Sequence, residues 1–149
     1  MYQHIVVPTD GSTLSAHAVD QALALARTLD AKVTLMTVVE PFHMFSMSPD
    51  QLVDTRDQYI RRAQEEASRS LQDASAKARF AGVIHETIVV ENDHPYEAII
   101  ETAGKQNADL IAMASHGRRG VSALVLGSET LKVLTHSTIP VLVYRNKEA

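Results

Sequence analysis

The sequence predicts an α/β fold: a five-stranded parallel sheet, doubly wound, with helices on both faces. Three observations predict it. Five short apolar, β-branched runs alternate with four segments of helical period along the 149 residues. Most of the runs are apolar at nearly every position, which marks strands covered on both faces. One helical segment separates each pair of runs, as right-handed crossovers between parallel strands require.

The elements follow in order. His4 to Pro8 is a buried strand that ends in the turn Thr9-Asp10-Gly11-Ser12. Ser12 or Thr13 caps the next helix, whose apolar face is Leu14, Ala18, Ala22, Leu25 and Leu29. Lys32 to Val39 is the second strand, stopped by Glu40-Pro41. Phe42 to Pro49 is irregular and rich in Met and Phe. A long polar helix follows Asp50 and runs to about Phe80, with a seam of Leu52, Tyr59, Ala63, Ala67, Leu71, Ala74 and Ala78. Its length is about 45 Å against ~20 Å for a typical strand, so its first turns overhang the sheet. Gly82 ends it, and Val83 to Val90 is the third strand. Pro95 opens a helix from Tyr96 to Gln106 that turns Ala98, Ile99 and Ala103 inward. Leu110 to Ala114 is the fourth strand and Ser128 to His136 the last helix. Ile139 to Tyr144 is the fifth strand, and Arg145 to Ala149 a polar tail.

Length and composition predict one domain over residues 1–149, with 45% hydrophobic and 21% charged residues. A net charge of −4 argues against a broad nucleic-acid surface. The chain has no cysteine, which excludes disulfides, thiolate metal sites and Cys nucleophiles. The N-terminus lacks a basic region and a long apolar stretch, and no run reaches the ~18 apolar residues of a membrane span. A cytoplasmic protein is expected.

Ligands of doubly wound sheets bind beyond the carboxyl ends of the strands, where the strand order reverses. If the strand order is 3-2-1-4-5, this point lies between strands one and four. It brings Thr9-Asp10-Gly11-Ser12 beside Ala114-Ser115-His116-Gly117. The second of these stretches is the richer. A buried strand opens into a loop with Gly117, Arg118, Arg119 and Gly120, and the loop closes at Gly127-Ser128-Glu129-Thr130, a helix start. Glycine-rich backbone and a helix N-terminus together form an anion site of phosphate size. Ser128 and Thr130 add hydroxyl donors. Glu129 suits a helix N-terminus but repels phosphate unless its carboxylate is turned to solvent, while its N–H still serves. Taken alone, Gly117-Arg118-Arg119-Gly120 also reads as a solvated turn.

Asp10 has two readings of comparable standing, an acceptor for a ribose hydroxyl and a turn-former before a helix. A phosphoacceptor role ranks below both, because no acid neighbours it. The seven histidines are scattered without metal-ligand spacing. His116 differs by location, where it contacts a ligand phosphate or orders the loop. Met44, Phe45 and Met47 read as packing or a partner contact rather than an adenine lid. The Walker A, dinucleotide-binding and Gly-x-Ser-x-Gly patterns are absent. No general base, nucleophile and orienter form a set. The edge strand Ile139–Tyr144 invites pairing with a second copy.

Several of these residues carry a resemblance. Val7-Pro8-Thr9-Asp10-Gly11-Ser12, Val38, Ser115-His116-Gly117 with nine residues before Gly127-Ser128, and the ending Pro140 to Arg145 together resemble the universal stress protein family over nearly the whole chain. Its nucleotide-binding branch carries Gly-x-x-Gly-x9-Gly-Ser/Thr. Gly117, Gly127 and Ser128 fit that pattern, and Ala114 stands in place of the first glycine. The resemblance implies ATP, or AMP or ADP, with Mg²⁺ on the nucleotide phosphates. It places Pro8, Thr9 and Asp10 on the nucleoside side and the Val38 backbone against adenine. Ala114, Gly117, Gly127, Ser128, Glu129 and Thr130 then surround ribose and phosphates. Ser12, Ser115, His116, Arg118 and Gly120 complete the expected neighbourhood. The resemblance also implies the sheet order 3-2-1-4-5, a homodimer through strand five and a stress-linked regulator with weak hydrolysis or none. A slow ATPase and a nucleotide-free interaction module are the alternatives.

Overall fold

The computed structural model describes residues 1–43, 49–117 and 125–145. The elements are β1 (His4–Pro8), α1 (Thr13–Leu29), β2 (Lys32–Val39), α2 (Pro49–Ala81), β3 (His85–Glu91), α3 (Pro95–Lys105), β4 (Leu110–Ala114), α4 (Ser128–His136) and β5 (Val141–Tyr144). The sheet has the order β3-β2-β1-β4-β5, and every neighbouring pair is parallel. β1 is central, with Ile5 level with Val33 on one side and with Leu110 on the other. The predicted topology is the observed one.

Burial on both faces explains the continuous apolar strands. Ile5, Val7, Val33, Leu35, Leu110 and Ala112 face α1 and α2, where they meet Val19, Leu23, Ala26, Leu71 and Ala78. Val6, Met36, Ile111 and Met113 face the other layer, against Ala98, Ile99 and Ala103 of α3 and Val133 of α4. Each fully buried Val, Ile or Leu contributes about 1.5–3 kcal/mol. The period-two alternation of each strand thus feeds two separate cores.

Several expectations shift by a residue or two. The buried stripe of α1 is Ser15, Ala18, Val19, Ala22, Leu23 and Ala26, while Leu14, Leu25 and Leu29 are half-buried at its flanks. A helix that covers a sheet and also touches α2 buries a wider arc than a single Leu/Ala stripe. The seam of α2 holds at Ala67, Leu71, Ala74 and Ala78, but Tyr59 is exposed and Ala63 only half-buried. The side chain of Leu52 lies outside the described residues. The overhanging first half of α2 is tied instead to the end of β2. There the Tyr59 hydroxyl donates to the Glu40 carbonyl at 2.9 Å, and the Tyr59 ring lies 5.2 Å from that of Phe42.

Gly82, at φ +72°, ends α2 in the left-handed region. The Val83 N–H still bonds to the Ala78 carbonyl at 3.0 Å, so β3 starts at His85 rather than Val83. β5 starts at Val141 rather than Ile139. The Ile139 N–H is taken by Ser137 Oγ at 3.1 Å, and Pro140 has no N–H to give to a ladder. No helix among the described residues is long and apolar enough to cross a membrane.

Candidate functional site

The turn after β1 is held by a hydroxyl network. The Thr9 N–H reaches the Met36 carbonyl of β2 at 2.8 Å, and Thr37 Oγ1 donates to the Thr9 carbonyl at 2.8 Å. These bonds carry the chain one residue past the strand before it turns. Asp10 Oδ1 accepts from the Ser12 N–H and from Ser15 Oγ, each at 2.9 Å. Ser15 Oγ also accepts the Asp10 N–H at 3.3 Å and lies 3.1 Å from Thr9 Oγ1. Ser12 caps α1 by accepting the Ser15 N–H at 3.2 Å. One carboxylate oxygen of Asp10 therefore performs the turn-forming role.

The other oxygen looks across the switch point. A Cβ placed on Gly117 would stand 2.8 Å from Asp10 Oδ2, so the end of β4 approaches Asp10 as closely as only a glycine allows. The two loops expected to face each other are in contact, although they come from opposite halves of the chain.

The start of α4 folds back on the end of β4. The Gly127 N–H donates to the Ser115 carbonyl at 2.8 Å, and Thr130 Oγ1 donates to the Ala114 carbonyl at 2.9 Å. A Cβ on Gly127 would lie 3.2 Å from both His116 Cα and Ser115 O. Gly127 is extended, at φ −61° and ψ 153°, so closeness rather than an unusual dihedral calls for glycine there. The first helical bond runs from the Leu131 N–H to the Gly127 carbonyl at 3.0 Å. The amides of Ser128, Glu129 and Thr130 therefore have no acceptor within the helix. Glu129 turns its carboxylate aside: Oε2 accepts the Tyr96 N–H at 2.8 Å at the start of α3, and Oε1 lies 3.7 Å from Lys132 Nζ. For an anion beside it, the sequence reading required this carboxylate to turn to solvent; it is held instead at the start of α3, and Glu129 remains among the cavity's lining residues. Partial burial, then the Glu97 and Glu129 carboxylates, hold the Tyr96 phenol above its usual range.

A cavity of about 340 Å³ opens between these elements, within the size range of small-ligand sites. Pro8, Thr9 and Asp10 form one wall, Ala114, His116 and Gly117 a second, and Gly127 to Thr130 a third. Val38 closes the far end. Ala114 is the last residue of β4, paired with Tyr144, and its φ is not positive. An alanine there carries no left-handed strain, and it is among the residues lining the cavity. Ser12 and Ser115 stand behind the lining, as the cap of α1 and the acceptor for Gly127. Arg118, Gly120, Met44, Phe45 and Met47 lie outside the described residues.

Five lining residues escaped the sequence reading: Ser15, Glu40, Pro95, Ile99 and Met113. Ser15 had a signal, since it stands three residues after the cap Ser12. Ile99 and Met113 read simply as core, and only the sheet's open end exposes their edges to the cavity. A hollow of about 480 Å³ between α2 and β3 is larger, but surface side chains such as Gln64, Ser68, Gln72 and Arg79 line it, and it has neither a helix N-terminus nor a close-approach glycine. The switch-point cavity is the chemically organised one.

Comparison with known proteins agrees with this architecture. A sequence model of the universal stress protein family matches residues 1–145. A universal stress protein of Bacillus subtilis is 32% identical over 149 residues, covering 97% of this chain and all of that one. A solved universal stress protein structure from Methanocaldococcus jannaschii superposes with a TM-score of 0.82 at 26% identity, covering 100% of this chain and 99% of that one. A universal stress protein solved in complex with cAMP superposes with a TM-score of 0.71 at 30% identity, covering 97% of each chain. The chain belongs to the universal stress protein family.

Proposed function

We propose that the switch-point cavity binds an adenine nucleotide, ATP with Mg²⁺ or else AMP or ADP, and that occupancy makes the protein a stress-linked regulator. The observation that carries this reading is the convergence of Asp10, Gly117 and the start of α4 on one cavity. The nucleoside belongs at the Pro8–Asp10 and Val38 side, where Ile99 and Met113 add apolar walls and the Val38 backbone reaches adenine. The phosphates belong at the start of α4, where three amides lack helical acceptors and the helix dipole supplies about half a positive charge. The residues fit such a group on two counts. The close-approach glycines leave backbone rather than side chain at the phosphate end. The Nε2 of His116 is buried without a partner among the described residues. Mg²⁺ rides on the phosphates, and no protein ligand is assigned to it. The relative solved with cAMP binds a nucleotide of the same base.

Isothermal titration with ATP and Mg²⁺ tests the reading, backed by mass spectrometry of any ligand retained through purification. The expected result is one site per chain. At a hundredfold excess over Kd, binding stabilises the fold by about 2.7 kcal/mol, a rise of several degrees in Tm. No heat and no thermal shift at millimolar ATP would leave only the nucleotide-free interaction module.

A further inference from the structure

His116 is 7% exposed and lines the cavity beside Gly117 and Gly127. Its Nδ1 lies 2.9 Å from Ser115 Oγ. Its Nε2 is buried and has no hydrogen-bond partner among the described residues. Buried polar atoms are nearly always paired, so an orphan on a cavity wall marks a place for an arriving group.

Ser115 leaves the proton undecided. A hydroxyl both donates and accepts, so it satisfies Nδ1 in either neutral tautomer and equally in the imidazolium. A backbone carbonyl in its place would have demanded an N–H at Nδ1. The state of the ring therefore follows what meets Nε2: a donor draws the lone pair, and an acceptor draws a proton.

The surroundings favour the proton when the acceptor is phosphate. The described charged groups on the cavity wall, other than His116 itself, are Asp10 from the β1–α1 turn, Glu40 after β2 and Glu129 from α4. The Glu129 carboxylate is already engaged with Tyr96 and Lys132. No Lys or Arg is among the described lining residues. An anion entering between carboxylates meets the partial charge of the α4 N-terminus and one side chain of the described lining that can become a cation, His116.

We propose that nucleotide binding is coupled to proton uptake by His116. The ring takes one proton from solvent and donates from Nε2 to a phosphate oxygen. Affinity for a phosphorylated nucleotide therefore rises as pH falls through the histidine range. The inference rests on the nucleotide reading above and adds a pH dependence to the same site.

Titration calorimetry in two buffers of different ionisation enthalpy, near about pH 7, reads the net proton uptake directly. The terminal phosphate of ATP titrates in the same range, so wild type is compared with His116→Gln, whose amide offers a neutral donor near the Nε2 position, and ATP with adenosine. Uptake with ATP is expected to be larger in wild type than in the variant by a sizeable fraction of a proton. From about pH 6 to about pH 8 the wild-type affinity is expected to weaken roughly three- to tenfold more than that of the variant. Adenosine is expected to show no uptake in either protein. Ring-proton NMR of assigned His116 in the wild type reads the same event without substitution, as an upward-shifted titration when ATP is bound, so a variant that folds poorly leaves the test intact. ATP binding with equal uptake in both proteins, or a His116 titration unchanged by ATP, overturns the proposal and leaves the nucleotide reading standing. No ATP binding at any pH overturns both.

Discussion

Two glycines at the site owe their place to different neighbours, and substitution separates them. Gly117 faces Asp10 Oδ2, the end of a side chain, whereas Gly127 faces the backbone of Ser115 and His116. Gly117→Ala pushes the Asp10 carboxylate aside at small cost to the fold. Its expected result is a stability change under about 1 kcal/mol with a clear loss of nucleotide affinity. Gly127→Ala must move backbone in a packed region and is expected to cost about 1–3 kcal/mol. Urea unfolding and calorimetry on both variants check the contrast, and equal stability losses would refute it. A third residue, His4, sets a pH dependence away from the site. It is 5% exposed, with Nδ1 donating to the Gln106 carbonyl at 3.0 Å and Nε2 2.7 Å from Thr34 Oγ1. Burial first, then Lys32, hold its pKa below the usual value of 6.5. The unfolded chain therefore binds more protons than the folded one just below pH 6.5, and stability falls as pH drops through that window. Tm is expected to decline from about pH 7.5 to about pH 5.5, and His4→Gln to flatten the decline. An equal slope in the variant would rule His4 out as the cause.

Among the helices, α4 combines the smallest core contribution with the most chemistry. Val133 is fully buried and Thr130 nearly so, while Leu131 and Leu134 are exposed. Its place is set by its first turn, through Gly127 to Ser115 and Thr130 to Ala114. That turn gives stability and anion binding opposite responses to one added charge. Ser128→Asp puts a carboxylate at an exposed first helical position, which suits the helix dipole by about 0.3–1 kcal/mol. The same charge opposes a phosphate. Unchanged or slightly raised Tm together with about tenfold or greater loss of ATP affinity is expected from scanning fluorimetry and calorimetry. Retained affinity would move the phosphates away from α4. The long helix α2 teaches a different lesson. Its period was plain in the sequence, but of the described seam residues Ala67, Leu71, Ala74 and Ala78 are buried while Tyr59 is exposed and Ala63 half-buried, because the sheet beneath is shorter than the helix.

For the whole molecule, the sheet leaves β3 and β5 as edges. We propose that β5 pairs with β5 of a second copy. The strand is only four residues long, and Leu142 on it is exposed. Light scattering coupled to size exclusion at micromolar concentration is expected to give a dimer, and Leu142→Lys to give a monomer of unchanged fold. A wild-type monomer would sink the idea.

The parallel doubly wound class and the helix count were legible in the sequence, because each rests on a local period or on the handedness of crossovers; the strand order, and with it the facing of the two loops, was legible only through the family's motifs. Asp10 and Gly117 were readable as candidates for the same reason: strand ends and turn residues announce themselves. What only the tertiary structure decided depends on atoms brought together from distant segments. Such decisions include which oxygen of Asp10 serves its own turn, that the Glu129 carboxylate turns to the start of α3, and that Ala114 sits in unstrained strand backbone. They also include the unpartnered His116 nitrogen and the entry of Ile99 and Met113 into the cavity wall. A one-dimensional pattern records which residues can be buried or can bond. Which partner each one meets is set by packing across the sheet, and the chemistry of this site lies in those meetings.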